Sequence, residues 1–118
     1  MKGEATVNTI NVKDAESREN PHGVDARALH GSEHALVSHI TLQPGEALKR
    51  HITPVDVIFY VVEGTGIVEV GEEKVEVGPD TLIDSPARIP HCWYNESTGT
   101  LRFLVIKVPR PTGPTKVL

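Results

Sequence analysis

The sequence predicts an all-β protein, a sandwich or a barrel, on three observations. Nine prolines and ten glycines divide the 118 residues into short segments. The segments between them are rich in Val, Ile, Thr and Phe, several of which pack well on a pleated surface. Turn signals recur at a spacing of roughly 8–12 residues, which is typical of all-β sandwiches and barrels. The length suits a single domain.

Residues 1–34 are expected to form an N-terminal arm with edge strands. Within it, residues 6–12 and 25–29 are the candidate strands, because both are short and partly apolar. Residues 14–20 are expected to form one or two helical turns.

Residues 35–108 are expected to form the core of the barrel. Residues 57–62 are apolar at every position, as in a strand that lies between two layers. The core segments that we predict are residues 35–42, 57–62, a hairpin of 67–70 with 74–77, 81–83 and 101–108. Residues 109–118 contain three prolines and are expected to form an extended tail.

Charge and composition exclude several classes of function. Twelve Lys and Arg against sixteen Asp and Glu give a net charge of −4, which argues against a nucleic-acid partner. No run approaches the roughly 20 apolar residues of a membrane-spanning helix, and no signal peptide is recognisable at the N-terminus. The lone Cys92 cannot form an internal disulfide, which fits a reducing compartment. We therefore expect a cytoplasmic protein without nucleic-acid or membrane partners.

Two of the six histidines stand where chemistry is expected. His51 follows the Pro44-Gly45 turn, and His91 follows a loop that contains two prolines. Each is predicted at the lip of a strand. Neutral imidazole is the commonest protein ligand of first-row metals, so these two histidines are the candidate metal ligands.

The spacing around these histidines resembles the two motifs of the cupin superfamily. In the first motif, Gly45 is followed after five residues by His51, and Gly64 ends the motif. The second motif has Pro, His and Asn at fixed intervals, which here are Pro86, His91 and Asn95. The match covers residues 35–108. It implies a jelly-roll, double-stranded β-helix barrel and, as in other small cupins, a homodimer.

The resemblance implies a metal site, but only two of the four usual ligands are present. Of the four usual ligands His51 and His91 are present, whereas Thr53 replaces a histidine and Val57 replaces a glutamate. Zinc and facial-triad iron sites normally use three or four protein ligands. Two alternatives therefore stay open: one divalent ion (iron, manganese, nickel or zinc) with a third ligand, or no metal.

Three residues are candidates for a third ligand. Ser38 and His39 lie on a predicted strand, where alternation lets only one of them face inward. Asp56 is expected to face outward unless a bulge turns it towards the site.

A wider set of residues is expected to line a ligand pocket between the histidines. Arg88 could bind a carboxylate or phosphate through its planar guanidinium, or lie on the surface. Lys107 could meet an acidic group inside the barrel or extend to solvent, and we favour the second. His22, His30 and His34 are expected to be solvated loop residues. The predicted pocket residues are Ser38, Thr53, Val57, Arg88, Asn95, Phe103 and Val105.

Two classes of function fit this pattern. One is a metal-dependent oxygenase or isomerase, in which His51, His91 and a third ligand hold the ion. The other is a metal-free binding protein or metal-independent enzyme that takes a small anionic or sugar-derived molecule. The sequence names neither the substrate nor a catalytic residue, because one fold hosts many chemistries.

Overall fold

Two five-stranded sheets form the fold in the computed structural model, which describes residues 6–118. A single 3-10 turn, Val12–Asp14, precedes the strands. In chain order the strands are β1 Asp25–Gly31, β2 Leu36–Leu42, β3 Ala47–Ile52, β4 Asp56–Glu63, β5 Gly66–Val70, β6 Glu73–Val77, β7 Leu82–Ser85, β8 His91–Tyr94, β9 Leu101–Val108 and β10 Lys116–Val117.

The strand order confirms the predicted jelly roll. One sheet has the order β1-β2-β9-β4-β7 and the other β10-β3-β8-β5-β6, and every pairing between these strands is antiparallel. Chain neighbours such as β3 and β4 lie in opposite sheets, so the chain winds around the barrel. The two inner faces enclose one core and leave an opening at one end.

Aromatic rings fill the centre of that core. Trp93 stacks on Phe103 with ring centroids 4.1 Å apart, and Phe59 meets both rings edge-on. Trp93 and Phe103 have no exposed surface, and Phe59 is 1% exposed. Aromatic pairs of this geometry stabilise a core beyond the burial of their area. They therefore close the barrel beneath the histidines.

The N-terminal predictions are correct only in part. Residues 25–29 lie within β1 as predicted, but residues 6–11 form no strand. They lack a partner strand, and the Asn11 side chain instead accepts a hydrogen bond from Lys13 N at the start of the 3-10 turn. The predicted helical turns at 14–20 are also wrong, because Ser17 forms a β-bridge with Arg27. No helix among residues 6–118 is long and apolar enough to cross a membrane.

Sequence patterning missed three strands. β3 and β8 carry the two motif histidines but little of the Val and Ile alternation that marks the other strands. In the tail, Lys116 and Val117 pair with Ile52 and His51 of β3. This pairing brings the end of the chain to the open end of the barrel.

Gly64 is required at the turn between β4 and β5. It has φ +86°, and a Cβ there would overlap the carbonyl oxygen of Thr100. We expect Gly64→Ala to lower the free energy of unfolding by about 2–4 kcal/mol, because backbone strain and a backbone clash add. Gly78→Ala is the matched control, since nothing lies within 4 Å of the position of its Cβ. Equal urea midpoints for the two variants would contradict this expectation.

Candidate ligand-binding site

A cavity of about 220 Å³ lies at the open end of the barrel. Strands of both sheets, the turn before β1 and the C-terminal tail form its walls. Its apolar side consists of Pro21, Ala26, Ile40, Leu48, Val57, Phe59, Val105 and Val117. Its polar side consists of Asn20, His22, Ser38, His51, Thr53, His91, Lys107 and Thr115. An apolar cavity with a few polar groups is the usual form of a small-molecule site.

The ring of His51 is oriented by its own strand. Its Nδ1 lies 2.5 Å from the carbonyl oxygen of Lys49. A carbonyl only accepts hydrogen bonds, so Nδ1 carries the proton and Nε2 keeps its lone pair. The register of β3 with β8 shifts between Leu48 and His51, which places Lys49 outside regular pairing with β8.

His91 packs against His51 at the base of the cavity. The ring centroids are 4.3 Å apart in an edge-on arrangement, and the ring of Phe59 also meets His91 edge-on, at 5.2 Å. The Nδ1 atom of His91 lies 2.6 Å from Ser85 Oγ, and Nε2 lies 3.5 Å from Thr53 Oγ1. Hydroxyl groups can donate or accept, so these partners satisfy His91 in either neutral tautomer.

His22 is a third histidine of the cavity, which corrects its interpretation as a solvated loop residue. Its ring centroid lies 5.0 Å from that of His51. Lys49 N donates a 2.8 Å hydrogen bond to Nδ1 of His22. An amide N–H only donates, so Nδ1 of His22 is unprotonated and the proton of the neutral ring lies on Nε2.

A tight turn places His22 over the cavity. Asn20-Pro21-His22-Gly23 has Asn, Pro and Gly at the positions that a β-turn favours, and Gly23 N donates to Asn20 O. The Asn20 side chain also donates to Val24 O at 2.8 Å. Lys49 Nζ donates to Pro21 O at 3.1 Å, which ties the turn to β3. This turn motif was the sequence signal that could have identified His22.

Burial keeps the three histidines neutral. Desolvation is the main cause that lowers the pKa of His22 to about 4 and that of His91 to about 3, and it also lowers the pKa of His51. The charge of Lys107 contributes to all three shifts. The histidines are therefore uncharged hydrogen-bonding groups at neutral pH.

Lys107 lies in the cavity wall, which corrects the expectation that it extends to solvent. Its Nζ donates to Thr115 Oγ1 of the tail at 3.4 Å. Burial lowers the pKa of its ammonium group. No carboxylate pairs with Lys107 within 4 Å among residues 6–118, and none lines the cavity. Among residues 6–118, the cavity lining thus contains one lysine, no arginine and no carboxylate.

Four of the seven predicted pocket residues line the cavity, and the other three lie elsewhere. Phe103 lies beneath the cavity in the core, where it stacks on Trp93. Arg88 is exposed in the loop before β8. Asn95 is buried, but its amide donates to Leu42 O and Gly99 O at 2.8 Å and so holds the loop after β8. These three residues do not line the cavity. His51, His91, Ser38, Thr53, Val57 and Val105 line the cavity.

The candidates for a third metal ligand do not complete a site. Ser38 faces the cavity, whereas His39 faces the other way and accepts a hydrogen bond from Arg102 Nε at 3.1 Å. Asp56 is exposed and accepts from Ala87 N. The Nε2 of His22 carries a proton in the tautomer that Lys49 fixes, so it cannot bind a metal there.

The donor set therefore does not fit a tightly held metal ion. Among the described residues, no group of three His, Cys, Asp or Glu side chains could hold one. His51 and His91 remain, with Thr53 and Val57 where the motif supplies two further ligands. Two imidazoles fall short of the three or four ligands of stable sites.

A family model described as "Cupin domain" matches residues 38–107. The chain belongs to the cupin family. The matched segment begins in β2 and ends in β9, and it includes both motif histidines. Comparison with proteins of curated function gives no match for this cupin.

Solved structures share the fold. A Thermus thermophilus protein is 33% identical, with 89% of this chain and 100% of that chain covered and a TM-score of 0.77. The polyketide cyclase RemF from Streptomyces resistomycificus is 21% identical, with coverage of 96% and 86% and a TM-score of 0.80. A predicted oxalate decarboxylase from Thermotoga maritima is 20% identical, with coverage of 86% and 99% and a TM-score of 0.75. The last two likenesses show the fold alone.

The lowered histidine pKa values predict a loss of stability in acid. The unfolded chain binds more protons than the folded one between pH 6.5 and about 4, so stability is complete above pH 6.5 and falls below it. In His22→Gln the loss between pH 7 and 5 should shrink by on the order of 1 kcal/mol. Urea unfolding at each pH measures this.

His34→Gln is the control for this measurement, because His34 is exposed. Its stability should follow the pH dependence of the unmodified protein. Equal pH slopes for His22→Gln and His34→Gln would contradict burial of a neutral His22.

Proposed function

We propose that this cupin binds a small carboxylate in the barrel cavity without the help of a metal. The observation that carries the proposal is the position of Lys107. Within the described part of the chain, residues 6–118, it is the one lysine or arginine on the cavity lining, and that lining has no acidic side chain. A desolvated cation gains more from an anionic ligand than an exposed cation does, because the surroundings screen the attraction less.

The remaining walls suit an acid with a compact apolar substituent. Ile40, Val57, Phe59 and Val105 form apolar surface within a cavity of about 220 Å³. This volume is below that of most drug-sized pockets, so the ligand is small. Ser38 and Thr53 supply hydroxyls, and the neutral histidines supply both donors and acceptors.

The same groups allow proton transfer to or from a bound acid. His51 presents an unprotonated Nε2 that can accept a proton, as a general base does. The proposed function is binding of a carboxylate. In a reaction of the bound molecule, His51 would be the residue that takes up a proton.

Metal-dependent chemistry is the second candidate, and one observation favours it. The hydrogen bond from His51 Nδ1 to a backbone carbonyl is the kind of contact that orients metal-binding histidines. The small donor set argues against it, since His22 is held in a tautomer that cannot ligate through Nε2.

The expected homodimer and the cytoplasmic location stay predictions. The edge strands β6 and β7 expose Val75 and Leu82, each more than half accessible. Pairing of such edges in a dimer would cover them. Sedimentation would give the oligomeric state.

Isovalerate (3-methylbutanoate) and its amide test the proposed carboxylate binding. We expect calorimetry to show binding of the acid and at least tenfold weaker binding of the amide, because a hydrogen bond to a charged group is worth about 1.5–3 kcal/mol. Lys107→Met should reduce the affinity for the acid by at least tenfold.

Lys13→Met is the control, since Lys13 is exposed and should not affect binding. The Lys107→Met variant should fold at least as stably as the unmodified protein, because the substitution removes a desolvated charge. Equal binding of the acid and the amide would refute the role of Lys107.

A further inference from the structure

Lys49 contacts two histidine rings of the cavity through its two backbone groups. Its N–H donates to Nδ1 of His22 at 2.8 Å, and its C=O accepts from Nδ1 of His51 at 2.5 Å. The amide cannot accept and the carbonyl cannot donate. One residue of β3 thus fixes opposite tautomers on two neighbouring rings.

The fixed tautomers leave a donor beside an acceptor. His22 keeps its proton on Nε2, and His51 keeps a lone pair on Nε2. The two ring centroids lie 5.0 Å apart, and both rings line the cavity. Within residues 6–118, neither Nε2 atom has a hydrogen-bond partner in the protein. Neither belongs to the fully buried polar atoms that lack a partner, so both keep accessible surface. Both are therefore available to a ligand.

A hydroxyl group matches such a pair, because it accepts one hydrogen bond and donates another. A carboxylate oxygen only accepts, and an ammonium only donates, so neither can satisfy both rings. Lys107 lies in the same cavity and its charge acts on His22 and His51. The cavity therefore offers a hydroxyl position near a carboxylate position.

We infer that His22 is a specificity-determining residue that, with His51, makes the cavity select a 2-hydroxy carboxylate over the same acid without its hydroxyl. This inference rests on the proposed carboxylate binding and names its substrate class. His22 Nε2–H donates to the hydroxyl oxygen, His51 Nε2 accepts the hydroxyl proton, and Lys107 binds the carboxylate. A site that hydrogen-bonds a hydroxyl rejects the analogue without it, because the buried groups are then left unpaired.

The tautomers can be measured without any substitution. Long-range ¹H–¹⁵N correlation spectra of uniformly labelled protein distinguish the protonated nitrogen of each ring. We expect His22 to be protonated at Nε2 and His51 at Nδ1 at pH 7. The opposite assignment for either ring would overturn the inference.

Two matched acids test the selection. We expect 2-hydroxy-3-methylbutanoate to bind at least tenfold more tightly than 3-methylbutanoate in calorimetry. In His22→Phe this preference should fall to less than twofold, because the donor to the hydroxyl oxygen is removed. In His34→Phe, a substitution of an exposed histidine, the full preference should remain.

The outcomes separate the inference from the proposed function. If both acids bind the unmodified protein equally well, carboxylate binding stands and the hydroxyl selection is wrong. If neither acid binds, carboxylate binding itself fails. If the preference for the hydroxy acid survives in His22→Phe, His22 is not the residue that determines it.

Discussion

The desolvated ammonium of Lys107 sets the chemistry of the cavity. It lies at the end of β9, next to the polar end of a barrel whose other end is filled by stacked aromatic rings. A partly buried charge without a counter-ion is costly, and no carboxylate that lines the cavity from residues 6–118 offsets it. Its field also lowers the pKa of the three histidines and so helps to keep them neutral. The proposed anion binding follows from this charge, whereas the histidines are neutral mainly because they are desolvated.

The organisation of the barrel mouth depends on parts of the chain outside the two motifs. The turn at residues 20–23 supplies His22, and the tail supplies Thr115, which accepts from Lys107, and Val117 of β10, which pairs with His51. Lys49 connects the turn to β3, because its side chain holds the turn and its backbone orients the rings of His22 and His51. The motif residues alone would leave out His22 and the residues of the tail.

Much of the fold could be predicted from the sequence, because strands with Val and Ile on alternating positions have a clear pattern. The segments at 35–42, 57–62 and 101–108 correspond to β2, β4 and β9. β3 and β8 were missed, since Lys49, Arg50, Cys92 and Tyr94 interrupt the apolar pattern. The expected strand at 6–12 failed because short apolar segments form strands only where a partner is available.

The site was harder to predict than the fold, because it depends on contacts between distant segments. Motif spacing identified His51 and His91, whereas strand alternation left open whether Ser38 or His39 faces inward; the structure places Ser38 on the cavity lining. Strand alternation could not show that Lys107 faces the cavity, because a lysine at a strand end can either face the cavity or extend to solvent. Nor could it separate Phe103 from the lining, since depth along the barrel axis is not encoded in alternation.

The most direct test of a metal-independent carboxylate site is elemental analysis of untagged protein purified without chelator. The account predicts substoichiometric iron, manganese, nickel and zinc, and no tight uptake on dialysis against each ion. Calorimetric binding of a small carboxylate should be the same before and after treatment with chelator. About one equivalent of a first-row metal per chain, with carboxylate binding lost on its removal, would contradict the account.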